Sequence, residues 1–185
     1  MSDVRKLTKM ALLVALMCIS AYISFPLPFT PAMVTALTLV MCLVAFMLPP
    51  KEAFIVLCVY VLLGAVGLPV YVGGTGGLGK LFGPTGGFIW GWPVAYTLLS
   101  ICKGKTISFW SYAWRACVIT IPITYAFGIA GGMIVTGIGF NAALAGYALP
   151  FIPGDVFKCL VASWLATKLD YKQNVIDRKR RKRCE

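Results

Sequence analysis

Six apolar stretches, separated by short polar or Pro/Gly-rich breaks, constrain this sequence more than any other feature. They run from about Leu7 to Phe25, Met33 to Leu48, Ala53 to Val72, Gly86 to Cys102, Tyr112 to Ile134 and Pro153 to Leu169. Each approaches the roughly 20 apolar residues, or about 17 at the short end, with which a helix crosses a hydrocarbon core. Of the 185 residues, 59% are hydrophobic and 12% charged, and the mean hydropathy is +0.86. Soluble domains carry about 25% charged residues, and a compact soluble chain of this length hides only about 70% of its unfolded surface. The apolar excess therefore faces lipid. The pattern predicts an all-α integral membrane protein with six transmembrane helices over residues 1–170 and a basic cytoplasmic tail over residues 171–185.

Charge placement sets the expected topology. Arg5, Lys6 and Lys9 precede the first stretch, Lys51 separates the second from the third, and Lys103 and Lys105 separate the fourth from the fifth. Lys168, Lys172 and the run Arg178-Lys179-Arg180-Arg181-Lys182-Arg183 follow the sixth, whereas the opposite loops carry only Lys80. The positive-inside rule then puts both termini in the cytoplasm and the glycine-rich loops outside. The terminal run reads as a topology anchor that meets anionic lipid, and nothing pairs with it to suggest nucleic acid. The first stretch begins with basic residues. No small-residue cleavage site precedes Phe25-Pro26-Leu27-Pro28, so it reads as a retained helix rather than a cleaved signal.

The composition also removes most chemistry. There is no histidine, hence no ordinary general base near neutral pH and no imidazole metal ligand. The seven cysteines include no CxxC, and all but Cys184 lie in apolar runs, where Cys acts as a small hydrophobe. With six Asp and Glu in total, only Asp155 falls at membrane depth, which leaves no paired acids, triad or metal site. No cofactor is expected.

Between the third and fourth stretches lies an outward loop with glycines at 67, 73, 74, 76, 77, 79, 83, 86 and 87. Such a segment allows close backbone approach to a ligand. Gly74 to Gly79 fits GxGxxG and Gly74 to Lys80 fits the start of a P-loop, but Leu81 stands where a Ser or Thr would reach magnesium. Nucleotide binding is rejected on that context. The other outward loops, Phe25 to Pro31 and Asn141 to Pro153, are stiff or apolar, the latter with room for a short helix. Irregular backbone at membrane depth must line a cavity or be buried in protein, so the outer side suggests a capped pocket.

The sharpest constellation is Pro150-Phe151-Ile152-Pro153-Gly154-Asp155-Val156-Phe157-Lys158. Pro-Gly opens the sixth helix, Asp155 sits in its first turn where the dipole favours an anion, and Lys158 shares its face. Charges at membrane depth face the interior and usually serve a function. The alternative is a capping aspartate in a self-satisfied ion pair. Arg115 reads as a residue snorkelling to the interface, and Trp90, Trp92, Trp110 and Trp114 read as interface anchors. Small residues at Ala11/Ala15, Gly83/Gly87/Gly91 and Gly128/Gly132 allow close helix approach.

These residues together resemble the BioY family, the biotin-specific S components of energy-coupling factor (ECF) transporters. The resemblance rests on Gly64-Ala65-Val66-Gly67-Leu68-Pro69-Val70-Tyr71, Gly73 to Gly79, Gly83-Pro84-Thr85-Gly86-Gly87-Phe88, and Leu149 to Asp155 with Lys158. It extends from Arg5 to Leu169, and Ala11 and Ala15 are similar to the AxxxA motif by which S components dock on the transmembrane coupling subunit. The resemblance implies biotin capture at the outer face of a bacterial cell membrane. It also implies one transmembrane coupling subunit, two cytoplasmic ATPases that carry the hydrolysis, and no enzymatic activity in this chain.

Biotin offers a ureido ring with two donors and one acceptor, a thioether, and a carboxylate on an aliphatic arm. Asp155 can accept from ureido N–H groups and Lys158 can meet a carbonyl or anionic oxygen. Thr85, Tyr71 and the backbone at Gly74 and Gly76 are the expected further polar contacts, with Phe25, Phe29 and Tyr147 as apolar walls. Which end of biotin meets which residue stays open at this level. The other readings are an S component for thiamine or riboflavin, which the PGDxxK and glycine-loop combination disfavours, and a non-transport membrane scaffold.

Overall fold

The computed structural model describes residues 3–26, 32–104 and 107–184, with side chains described from 4 to 169 within those segments. The elements in order are α1 (Asp3–Ser20), β1 (Ser24–Pro26), β2 (Met33–Thr35), α2 (Leu37–Met47), α3 (Pro50–Ala65), α4 (Leu78–Leu81), α5 (Gly86–Cys102), α6 (Phe109–Thr136), α7 (Phe140–Tyr147) and α8 (Ile152–Cys184). The six apolar stretches thus correspond to α1, α2, α3, α5, α6 and α8.

Several boundaries differ from expectation, and the fold is not purely helical: α3 ends at Ala65 rather than Val72, and α8 continues past Leu169 to Cys184. The first apolar stretch leaves the helix at Ser20, and the second begins as a strand. Ser24, Phe25 and Pro26 pair antiparallel with Thr35, Val34 and Met33. Pro26 has no N–H for a helical bond and biases the residue before it toward extended backbone. Val34 and Thr35 are β-branched and favour the pleated state. Thr35 Oγ1 accepts the Leu37 N–H at 3.1 Å and so starts α2.

Helix α2 is apolar on every face and is buried from Leu37 through Phe46 along most of its length, as expected of a central helix. Around it stand α1, α3, α5 and α8. Its C-terminal carbonyls, which no helical N–H can reach, are met by cations from two other segments. Lys103 Nζ donates to Ala45 O (3.2 Å), Phe46 O (2.7 Å) and Leu48 O (2.7 Å), and Lys9 Nζ to Met47 O (2.9 Å). Ser100 Oγ donates to Leu48 O at 2.7 Å. Two basic segments that the charge map places on one side therefore converge on one helix end. Arg115 does not simply snorkel, since its guanidinium donates to Lys103 O and ties the α5–α6 turn.

Helices α5 and α6 cross through glycine. A Cβ on Gly87 would strike Phe127 O and crowd Gly131 Cα, and one on Gly128 would strike the Phe88 ring. Length and apolarity qualify α6 as a membrane span, and α7 with residues 152–169, bent by 46°, as a second. α2 and α5 are apolar but shorter. The outer surface is apolar as well: Leu12 is 65% exposed, Trp110 74% and Ile134 84%. Apolar exposure on that scale marks a surface that another apolar phase covers.

Candidate functional site

The bend between α7 and α8 sets the first turn of α8 beneath the loop that joins α3 to α5. Phe151 caps the bend and its carbonyl accepts the Asp155 N–H at 2.8 Å. From that turn Asp155 and Lys158 reach inward and pair, Nζ to Oδ1 at 2.8 Å, with side chains 20% and 14% exposed respectively. Tyr125, from the second half of α6, donates its hydroxyl to Asp155 Oδ2 at 2.5 Å. Both carboxylate oxygens are thus occupied, and the cluster carries no net charge.

This cluster lies at one end of a cavity with about 700 Å³ of empty space, part of it open to the surface. Phe88, Ile89 and Trp92 of α5 form one wall and Tyr147 of α7 and Phe151 another. Met33 and Thr35 of β2 and Thr38 of α2 enclose a third side. Over the mouth lie Tyr71 and Val72 of the α3–α4 loop, Lys80 of α4 and Thr85. Phe88 meets Tyr125 edge-on with centroids 6.2 Å apart and Tyr147 at the same distance, so the aromatic wall is one packed unit.

Of the residues singled out in the sequence, Asp155, Lys158, Thr85, Tyr71 and Tyr147 meet around this cavity. Tyr71 meets it as a wall rather than a polar contact, because its hydroxyl already donates to Val61 O at 2.6 Å. Tyr60 returns the arrangement by donating to Val70 O at 2.7 Å. Gly74 and Gly76 are off the cavity wall. Gly73 and Gly74 have positive φ, 77° and 67°, and turn the chain so that Tyr71 N–H reaches Thr75 O at 2.8 Å. The N–H groups of Gly73, Gly74 and Gly77 donate to Ala21 O, Tyr71 O and Gly64 O at 3.1, 3.0 and 2.7 Å. A Cβ on Gly76 would strike Leu68 O. Gly73, Gly74 and Gly77 thus spend their N–H groups on carbonyls of the chain itself.

Phe25 is 68% exposed and stands outside the cavity lining, since pairing in β1 turns it outward. Phe29 lies outside the described residues. Trp92 is no interface anchor: it is 4% exposed and lines the cavity, while Trp90, Trp110 and Trp114 remain exposed. Sequence reasoning missed Tyr125, Thr38, Thr124 and Lys80. An isolated Tyr or Thr inside an apolar run carries no periodic signal, and only the topology shows which way it faces. Lys80, the lone cation of the loops expected to face outward, was detectable from charge placement. Among the described residues, no group of three His, Cys, Asp or Glu is arranged to hold a metal ion.

Comparison with known proteins gives a consistent result. The family model described as "BioY family" matches residues 1–174. The chain is 43% identical over 161 residues to "Biotin transporter BioY2" of Lactococcus lactis subsp. cremoris, covering 85% of each chain. It is 33% identical over 153 residues to "Probable biotin transporter BioY" of Bacillus subtilis, covering 82% of each. Its fold is similar, with a TM-score of 0.84 at 22% identity, to the crystal structure of the S component for biotin from an ECF-type ABC transporter, over 92% of this chain and 95% of that one.

Proposed function

The chain belongs to the BioY family, and we infer from that membership that it captures biotin for uptake as the substrate-specific subunit of an ECF transporter. It is a membrane transporter subunit, and its own task is binding. The observation that carries the reading is the cavity, apolar-walled and polar at one end, in a chain whose relatives are named biotin transporters. Isothermal titration of biotin into the detergent-purified full chain tests it. Tight one-site binding is expected. Preference for riboflavin or thiamine, or no vitamin binding by folded protein, would overturn it.

Several finer features belong to the same proposal. Six membrane crossings with both termini cytoplasmic are supported by the six helices that match the apolar stretches, by the apolar outer surface and by the one-sided cations. In this arrangement the cell membrane holds the chain, residues 1–170 form the binding domain, the basic segment 171–185 is cytoplasmic, and the cavity mouth opens outward. Asp155 and Lys158 are the principal ligand contacts, with Thr85, Tyr71 and Tyr147 around them.

Energy for uptake comes from two cytoplasmic ATPases through a transmembrane coupling subunit, and α1 is the docking face. Ala11 and Ala15 are both exposed on that helix, each beside an exposed leucine, Leu12 and Leu16, and small residues admit another helix closely. Ala11→Trp combined with Ala15→Trp is expected to leave biotin titration unchanged, because α1 does not line the cavity. The same variant should fail to co-purify with the coupling subunit. A complex recovered at wild-type yield would remove α1 from the interface.

A further inference from the structure

We propose that Tyr60 of α3, which does not line the cavity, is a positioning residue for ligand retention: together with Tyr71 it bolts the loop between α3 and α4 onto α3 as a fixed wall. This deepens the capture reading above and rests on it. The loop has little stiffness of its own. Between α3 and α4 it carries glycines at 67, 73, 74, 76 and 77, and glycine gives up more conformational freedom on ordering than any other residue. Tyr71 and Val72 of this loop nevertheless hold set places at the cavity.

Two hydrogen bonds run in opposite directions between helix and loop. The Tyr60 hydroxyl, from the helix, donates to Val70 O of the loop at 2.7 Å, and the Tyr71 hydroxyl, from the loop, donates to Val61 O of the helix at 2.6 Å. Both tyrosines are fully buried, and their rings meet edge-on with centroids 6.1 Å apart. Gly64, one helical turn beyond Tyr60, leaves the seat for this arrangement, since a Cβ there would strike the Tyr71 ring. Gly64 O also accepts the Gly77 N–H at 2.7 Å, which fastens the far end of the loop to the same turn of α3.

Tyr60 bears on the cavity from two sides. Val70, which its hydroxyl holds, leads directly into Tyr71 and Val72. Its ring also packs against Trp92 of the α5 wall, with centroids 6.2 Å apart. One side chain therefore sets the loop against the α5 wall without occupying ligand space. A hydroxyl that only needed a partner could turn back on its own helix, as Thr120 does to Ala116 O at 2.7 Å. That of Tyr60 reaches a loop carbonyl ten residues along the chain instead.

A wall held in place before the ligand arrives spares the ligand the entropy of ordering it. Tyr60→Phe keeps the ring against Tyr71 and Trp92 but leaves Val70 O without its donor, so the loop spends part of its time away from the cavity. Affinity then falls with the fraction of molecules that keep the loop in place, and bound ligand escapes faster.

The test is the dissociation rate of radiolabelled biotin from the detergent-purified full chain, with trypsin cleavage after Lys80, in the helix that follows the loop, as the report on loop opening. Tyr60→Phe is expected to speed dissociation about tenfold, the size of one lost hydrogen bond to a buried carbonyl, and to speed cleavage at Lys80 with it. Tyr71→Phe, which removes the other bond of the pair, should do the same. Ser100→Ala removes a hydroxyl-to-carbonyl bond of the same 2.7 Å near the other end of α5 and should change neither rate. A folded tyrosine variant with wild-type dissociation, or faster dissociation with wild-type cleavage, overturns the proposal. Equal acceleration by Ser100→Ala also overturns it, because the tyrosines would then act only through general stability. Wild-type protein that holds no biotin would instead remove the biotin reading itself, and this inference with it.

Discussion

Asp155→Asn is expected to reduce biotin affinity by about a hundredfold or more, the range for removing one member of a desolvated, hydrogen-bonded charge pair. Asparagine still offers an oxygen to Tyr125, so that bond at 2.5 Å can persist. The carboxylate's charge is lost, and with it the second acceptor oxygen for Lys158. The Lys158 ammonium, only 14% exposed, is then left without a counter-ion. Breaking a fully buried pair costs about 3–5 kcal/mol, and the remaining exposure of both side chains reduces this to roughly 1–3 kcal/mol.

The same argument separates binding from stability. In the double variant Asp155→Asn with Lys158→Met, neither charge remains to be compensated, and the midpoint of thermal unfolding should return close to wild type. Biotin affinity should stay lost. Titration and thermal unfolding on the two variants read the two quantities independently. If the double variant bound biotin within about threefold of wild type, the pair would be a helix-opening device and the ligand contacts would lie elsewhere.

The second large effect is expected at the α5–α6 crossing. Gly87→Ala places a methyl group against Phe127 O and Gly131 Cα, both backbone atoms that cannot rotate away. The two helices must separate, and overpacking of this kind costs about 1–3 kcal/mol, occasionally more. Because Phe88 of α5 and Tyr125 of α6 line the cavity on either side of that crossing, biotin binding should weaken along with stability. Gly79→Ala, where a Cβ meets nothing within 4 Å, should be near neutral in both measurements. A Gly87→Ala protein that unfolds at the wild-type temperature would show that the helices tolerate separation and that the glycine contact is dispensable.

The contrast between Gly87 and Gly74 shows how far glycine could be read without the fold. Both belong to the glycine-rich region, where close backbone approach to a ligand was one reading. Gly87, also read as part of a small-residue helix face, lets two helices touch. Gly74 turns a loop, and its own N–H is spent on Tyr71 O. A missing side chain has the same appearance in sequence whether a ligand, another helix or the chain itself occupies the space.

Trp92 and Phe25 make the same point for aromatics. An aromatic residue near the end of an apolar run fits an interface belt, a cavity wall or a core equally well, and helix rotation decides among them. Trp92 turned inward and Phe25 outward. The β-hairpin was missed for a related reason. Its residues are apolar enough to extend the flanking helices, and only the pairing of residues 24–26 with 33–35 removes them from helical geometry.

What the sequence determined by itself rests on short-range physics. The length of each apolar run and the three-residue step from Asp155 to Lys158 are properties of a single segment, and they specify six helical stretches and one charged pair. The tertiary structure decided what that pair faces: Tyr125 at the carboxylate, the unmatched hydroxyls of Thr38 and Thr124, and Lys80 across the cavity. Those relations join α2, α4, α6 and α8. They depend on how each helix is rotated and how closely glycine lets α5 and α6 approach, quantities that packing sets and periodicity does not encode.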